Sequence, residues 1–63
     1  MAKTNITVKL IGNDGNAFFI LGTVEKALKK AGFSELAKEY MTEATSGDYD
    51  HLLATTMEYV EVA

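Results

Sequence analysis

Apolar positions recur along this chain with two different periods, and the switches between them mark its elements. In residues 4–11, Ile6, Val8 and Leu10 alternate with Thr7 and Lys9, the period of two expected of a half-buried strand. Ile11 breaks the alternation, which marks where the chain is expected to turn into the core. Gly12, Asn13, Asp14 and Gly15 follow as punctuation, residue types that adopt turn conformations cheaply. A glycine-rich loop ahead of a helix can bind an anion, and this one faintly resembles a calcium loop. The phosphate-binding pattern needs a lysine followed by Ser or Thr, and the calcium pattern needs more acidic ligands. Neither is present, so a plain turn is the expectation.

Residues 16–32, NAFFILGTVEKALKKAG, form the longest periodic segment. Asn16 is a good N-cap and Gly32 a good C′ stop. Around Val24, residues Ala17, Ile20, Leu21, Ala27, Leu28 and Ala31 make one apolar stripe. Lys26, Lys29 and Lys30 lie on the far side, near the C-terminus, where they favour the helix dipole. Phe18 and Phe19 fall outside the stripe on either side, with Gly22 between them on the same back face. Glycine inside a helix costs about 1 kcal/mol relative to alanine. Close approach of another backbone would offset that cost. Two readings stand: the chain's own loop or C-terminal segment covers this end, or it is a subunit or partner interface, where aromatics are enriched.

Ser34 is the expected N-cap of a second helix, with Glu35 in its first turn and Gly47 as its stop. Leu36, Tyr40 and Ala44 form its stripe, flanked by Ala37 and Met41, while Glu35, Glu39 and Glu43 line an acidic ridge. Asp48 is the expected cap of a third helix. There Tyr49, Leu52, Leu53, Thr56, Met57 and Val60 fit the helical period. The end of this segment also alternates as a strand. An isolated N-terminal strand needs a partner, so the helix is expected to end near Met57 and residues 58–62 to form a second strand. Pairing with the first strand would set Glu61 near Lys9. The expected fold is α+β, β-α-α-α-β, with a two-stranded sheet packed on three short helices in one domain spanning residues 1–63.

Composition narrows the function classes. A chain of 63 residues buries only about 60% of the surface its unfolded form exposes. Small domains usually add disulfides, a metal or oligomerisation. There is no cysteine and only one histidine, so disulfides, thiolate metal sites and a multi-histidine zinc site within one chain are excluded. Oligomerisation is the addition left, and two copies joining sheet edges would make four strands and cover those edges. The absence of cysteine also fits a reducing cytosol. No run of about 18 apolar residues exists to span a membrane, and no secretory signal is evident at the start.

The net charge of −3 is unevenly spread. Residues 1–34 carry five lysines against Asp14 and Glu25, giving +3; residues 35–63 carry Lys38 against seven acids, giving −6. With no arginine and no basic stripe, direct nucleic-acid binding is not expected. Asp48, Asp50 and His51 are the one cluster of catalytic residue types. No activating motif surrounds any nucleophile, so Asp48 is read as a cap, Asp50 as a first-turn dipole residue and His51 as a satisfied polar group. No catalytic, metal or cofactor site is expected.

Two blocks also resemble a known group. Residues 16–22 (NAFFILG), with Val24, Ala27, Leu28, Ala31 and Gly32 after them, resemble small uncharacterised proteins encoded by phages, prophages and other bacterial mobile elements. Residues 43–53 (EATSGDYDHLL) and 58–62 (EYVEV) resemble the same group. The resemblance implies a bacterial cytoplasm and a small acidic accessory factor that binds a host protein, including the inhibitors of host defence. It carries no functional residues to transfer. The leading expectation is a non-enzymatic, homo-oligomeric binding protein. Its partner surface would be Phe18, Phe19 and Gly22 with Lys26 beside them, or the ridge of Glu35, Glu39 and Glu43. The alternatives are a protein that sequesters a nucleotide or other small anion near residues 12–16, and a structural assembly subunit.

Overall fold

The computed structural model describes residues 3–10 and 16–63. Five elements run in the order β1 (Thr7–Val8), α1 (Ala17–Lys30), α2 (Ser34–Ala44), α3 (Tyr49–Tyr59) and β2 (Glu61–Val62), so the chain is a small α+β unit. Ile11 and the turn of Gly12, Asn13, Asp14 and Gly15 lie outside the described residues.

Helix α1 follows its local signals. The Asn16 Oδ1 accepts the Phe19 N–H at 2.9 Å, supplying one of the orphan donors at the helix start. At the other end Gly32 has φ +89°. Its N–H donates to the Lys29 carbonyl at 3.0 Å, and the Phe33 N–H reaches the Leu28 carbonyl at 2.8 Å. These two bonds are a Schellman motif, which requires the left-handed conformation at Gly32. Ile20, Val24 and Leu28 are buried, and Ala17, Leu21 and Ala27 pack beside them. Ala31 is exposed, because it is the C-cap and has left the helical stripe.

The close coupling of α1 to α2 displaces the expected cap. Phe33, not Ser34, is the N-cap of α2 and makes no side-chain cap bond. Its N–H closes α1 while its carbonyl already accepts from Ala37 at 2.9 Å. The connection is too short for a separate capping residue. Ala37, Tyr40 and Ala44 are buried as their spacing predicts. The helix ends at Ala44 with Thr45 as C-cap, so Gly47 does not stop it. Gly47 instead makes room: a Cβ there would lie 2.8 Å from Cγ of His51.

In α3 the observed buried face is Leu52, Thr55, Thr56 and Tyr59, and the helix runs on to Tyr59. Met57 is exposed and Leu53 only half-buried. Thr56 is buried as its place in the period predicts, Thr55 joins it unexpectedly, and the hydroxyls of both are satisfied. Thr56 Oγ1 reaches the Leu52 carbonyl at 2.8 Å and the Tyr40 hydroxyl at 2.8 Å. Val60 is fully buried where the chain leaves α3 for β2.

The strands pair in parallel, Thr7 with Glu61 and Val8 with Val62. Both are two residues long, shorter than the alternation implied. Ile6, Val8 and Leu10 still turn inward together. Glu61 lies opposite Thr7 and not beside Lys9, because the bond from its N–H to the Ile6 carbonyl sets the register. The N-terminal segment also closes α3: the Lys3 N–H donates to the Glu58 carbonyl at 2.8 Å, and the Thr4 hydroxyl to the Tyr59 carbonyl at 2.8 Å.

Candidate functional site

With Ile20, Val24 and Leu28 facing the core, α1 must turn Phe18 outward. Phe18 is 88% exposed, and the C-terminal segment does not cover it. Beside it lies a groove of about 260 Å³. Ala17, Phe18 and Leu21 line it from α1, Ala44 from the end of α2, and Tyr49 and Leu52 from the start of α3. Thr45, Gly47 and Asp48 of the α2–α3 connection complete its lining. The lining is mostly apolar.

The other expected interface residues lie elsewhere. Phe19 is on the edge of exposure and does not line the groove. A Cβ on Gly22 would meet nothing within 4 Å, so among the described residues no close backbone accounts for that glycine. Lys26 is exposed on α1, also away from the groove.

The acidic ridge is divided in its roles. Glu35 stands exposed in the first turn of α2. Glu39 Oε1 accepts from the Lys3 ammonium and from the Tyr59 hydroxyl, each at 2.9 Å. Those two bonds hold its carboxyl below the ordinary range, Lys3 contributing most, and Lys3 is raised in return. The Lys3 ammonium also lies 4.5 Å from the centre of the Tyr59 ring. Burial raises the Tyr59 hydroxyl first, and its bond to Glu39 adds to that. Glu43 keeps an exposed side chain while its carbonyl serves the end of α2.

The Asp48, Asp50 and His51 cluster is arranged as helix-end chemistry. The Asp48 carboxylate accepts the backbone N–H of His51 at 2.9 Å, capping α3, and Asp50 stands in the first turn. His51 Nε2 lies 2.9 Å from the Glu43 carbonyl, with the Ser46 and Thr55 hydroxyls at 3.2 and 3.3 Å. A carbonyl only accepts, so Nε2 carries a proton and is a donor at the C-terminus of α2. Ser46 donates to the same carbonyl at 2.7 Å. Among the described residues no group of three or more His, Asp or Glu side chains is placed to hold a metal ion. Nor is any described helix long and apolar enough to cross a membrane.

Sequence reasoning found Phe18 as an off-stripe aromatic but missed the groove. Ala17, Leu21, Tyr49 and Leu52 read as core positions from their helical period. The available signal was topological: the short connection after α1 returns the end of α2 to the start of α1. Compared with known proteins, the chain matches no protein-family model, no curated protein and no solved structure.

Proposed function

We propose that this protein is a non-enzymatic binding module that acts by engaging another protein through the groove beside Phe18. The observation that carries this reading is one large aromatic, 88% exposed, at the lip of an apolar groove in a domain this small. Exposed aromatic and apolar surface of this kind is characteristic of interaction sites. The use of Asp48 and His51 in closing helix ends favours binding over catalysis. The resemblance of residues 16–22 and 43–53 to small phage and mobile-element proteins supplies the setting: a bacterial host cytoplasm, with a host protein as target and inhibition of host defence as the outcome.

The test is a pull-down from a bacterial lysate with the wild-type chain and with Phe18→Ser as paired baits. A host protein retained by the first and lost by the second, with both baits equally helical by circular dichroism, is the expected result. Equal retention by both baits rejects this face.

A second reading, self-assembly, is favoured by the sheet. Among the described residues it has two strands, so each keeps an outer edge there, and Val62 on β2 is partly exposed. Such edges are joined or covered in most proteins. Sedimentation over a range of concentrations tests it: a mass that rises with concentration and persists in Phe18→Ser supports pairing through the sheet.

A further inference from the structure

The groove beside Phe18 has a size and a charge, and together they describe its occupant. Its volume of about 260 Å³ is the space of several waters, at roughly 30 Å³ each. That admits one large side chain rather than a packed element. Phe18 stands at the lip as a ready contact for whatever enters.

The charge is one-sided. Residues 16–24, which include the α1 wall, carry no charged side chain. Residues 40–57, which include the other walls, carry Glu43, Asp48 and Asp50 and no lysine. A second copy is a poor match, since bringing Phe18 of one copy to the groove of another carries the same three acids with it. Like charges brought together at an interface oppose association.

We infer that the groove docks a segment of another protein that offers one bulky apolar side chain flanked by lysine or arginine. The inference rests on the protein-binding reading above and adds the chemistry of the partner. The apolar side chain would lie against Leu21, Ala44, Tyr49 and Leu52, with the flanking cations facing Glu43 and Asp50.

Three short synthetic peptides test it: a leucine between lysines, the same leucine between glutamates, and an alanine between lysines. Binding is read from amide chemical shifts of the isotope-labelled protein at low and high salt. The lysine-flanked leucine peptide is expected to shift the amides of Leu21, Ala44, Thr45 and Tyr49. It should bind about tenfold or more tightly than either control at low salt, with the gap over the glutamate peptide narrowing as salt rises. Phe18→Ala should weaken both leucine peptides, and the exposed pair Glu43→Lys with Asp50→Lys should invert the charge preference.

Equal binding of the two leucine peptides overturns the charge assignment and leaves the docking reading standing. No shift with any peptide, together with a dimer that Phe18→Ala dissolves, makes a second copy the occupant and overturns the inference. No shift and a monomer at all concentrations removes the groove as a docking site altogether, and the protein-binding reading with it.

Discussion

Helix α3 carries a tyrosine at each end, about 15 Å apart at 1.5 Å per residue, and the two are used in opposite ways. Tyr59 is 2% exposed. Its ring meets Tyr40 edge-on at 5.4 Å, its hydroxyl donates to Glu39 at 2.9 Å, and Lys3 covers its outer face. The N-terminal segment completes that end by bonding the last carbonyls of α3. Tyr49 is 37% exposed and forms part of a groove wall, across from an aromatic that is more exposed still. The Tyr59 end is closed by polar groups that satisfy one another; the Tyr49 end keeps apolar surface in contact with water. A domain with no cysteine draws its stability from the first arrangement. The second, by contrast, exposes surface that folding alone would bury.

The largest expected effect separates the two ends directly. Tyr59→Ala removes the ring that Tyr40 and Lys3 pack on and leaves a cavity, at a cost of about 3–5 kcal/mol by analogy with large-to-small aromatic changes. That approaches the whole stability of a small domain, which starts at roughly 5 kcal/mol. Phe18→Ala should stay within about 0.5 kcal/mol of wild type, as exposed substitutions do. Urea unfolding followed by circular dichroism measures both. Comparable losses would show that the Phe18 end contributes to the fold as the Tyr59 end does.

A smaller effect tests whether the closed end acts as a network. Tyr40 is fully buried, and its hydroxyl meets Thr56 Oγ1 at 2.8 Å. Tyr40→Phe and Thr56→Val should each cost about 1–2 kcal/mol, because each leaves the other's hydroxyl short of a partner. The double variant should cost less than the sum of the two. Strict additivity in that cycle would mean that Thr56 is satisfied by the Leu52 carbonyl alone.

These residues also show where the sequence stops being readable. Helix α1 was legible apart from Ala31 because its signals are local: the Asn16 cap, the stripe through Val24, and the Gly32 stop. The inward set of Ile6, Val8 and Leu10 was legible for the same reason. The register that sets Glu61 against Thr7 was not, because it depends on strands joined across three helices. The burial of Thr55 was hidden as well, and so were the partners of Thr56. A threonine reads as polar until Tyr40 or His51, on another turn or helix, supplies its hydrogen bond. Glu39 belonged by period to a solvated ridge, and only the return of Lys3 to α2 gives it partners. At the candidate site, Phe18 was visible as an aromatic off the stripe. Its groove was not, since it draws Ala44 and Tyr49 from two other helices.

Gly22 sharpens the open end. It lies in the interior of α1, and a Cβ there would meet nothing within 4 Å. Gly22→Ala should therefore stabilise the fold by about 0.5–1 kcal/mol, the usual gain from helix propensity. A rise in melting temperature together with weaker retention of a captured partner would assign the missing side chain to that partner's approach. A rise with unchanged retention would leave Gly22 outside the interface.

The smallest effect is the pH response of the closed end. Glu39 is depressed below its ordinary 4.5, by Lys3 first and the Tyr59 hydroxyl second. A depressed acid contributes stability above its unfolded value and loses it as pH falls through the folded one. Lys3 is raised above 10.5, chiefly by its bond to Glu39, so its share is present below that value and lost as pH rises through the folded one. Tyr40 and Tyr59 are raised above 10.0 by burial and behave with the same sign as Lys3. Stability should thus fall on both sides of a broad plateau, with one group titrating on the acid limb and three on the alkaline. Lys3 and Glu39 are partly exposed, at 45% and 55% of their side chains, so their part is modest and screened by salt. In urea midpoints measured against pH, Glu39→Gln should lie below wild type at neutral pH and converge with it once the carboxyl is protonated. A gap that persists into acid, at low and high salt alike, would mean that Glu39 acts through something other than its charge.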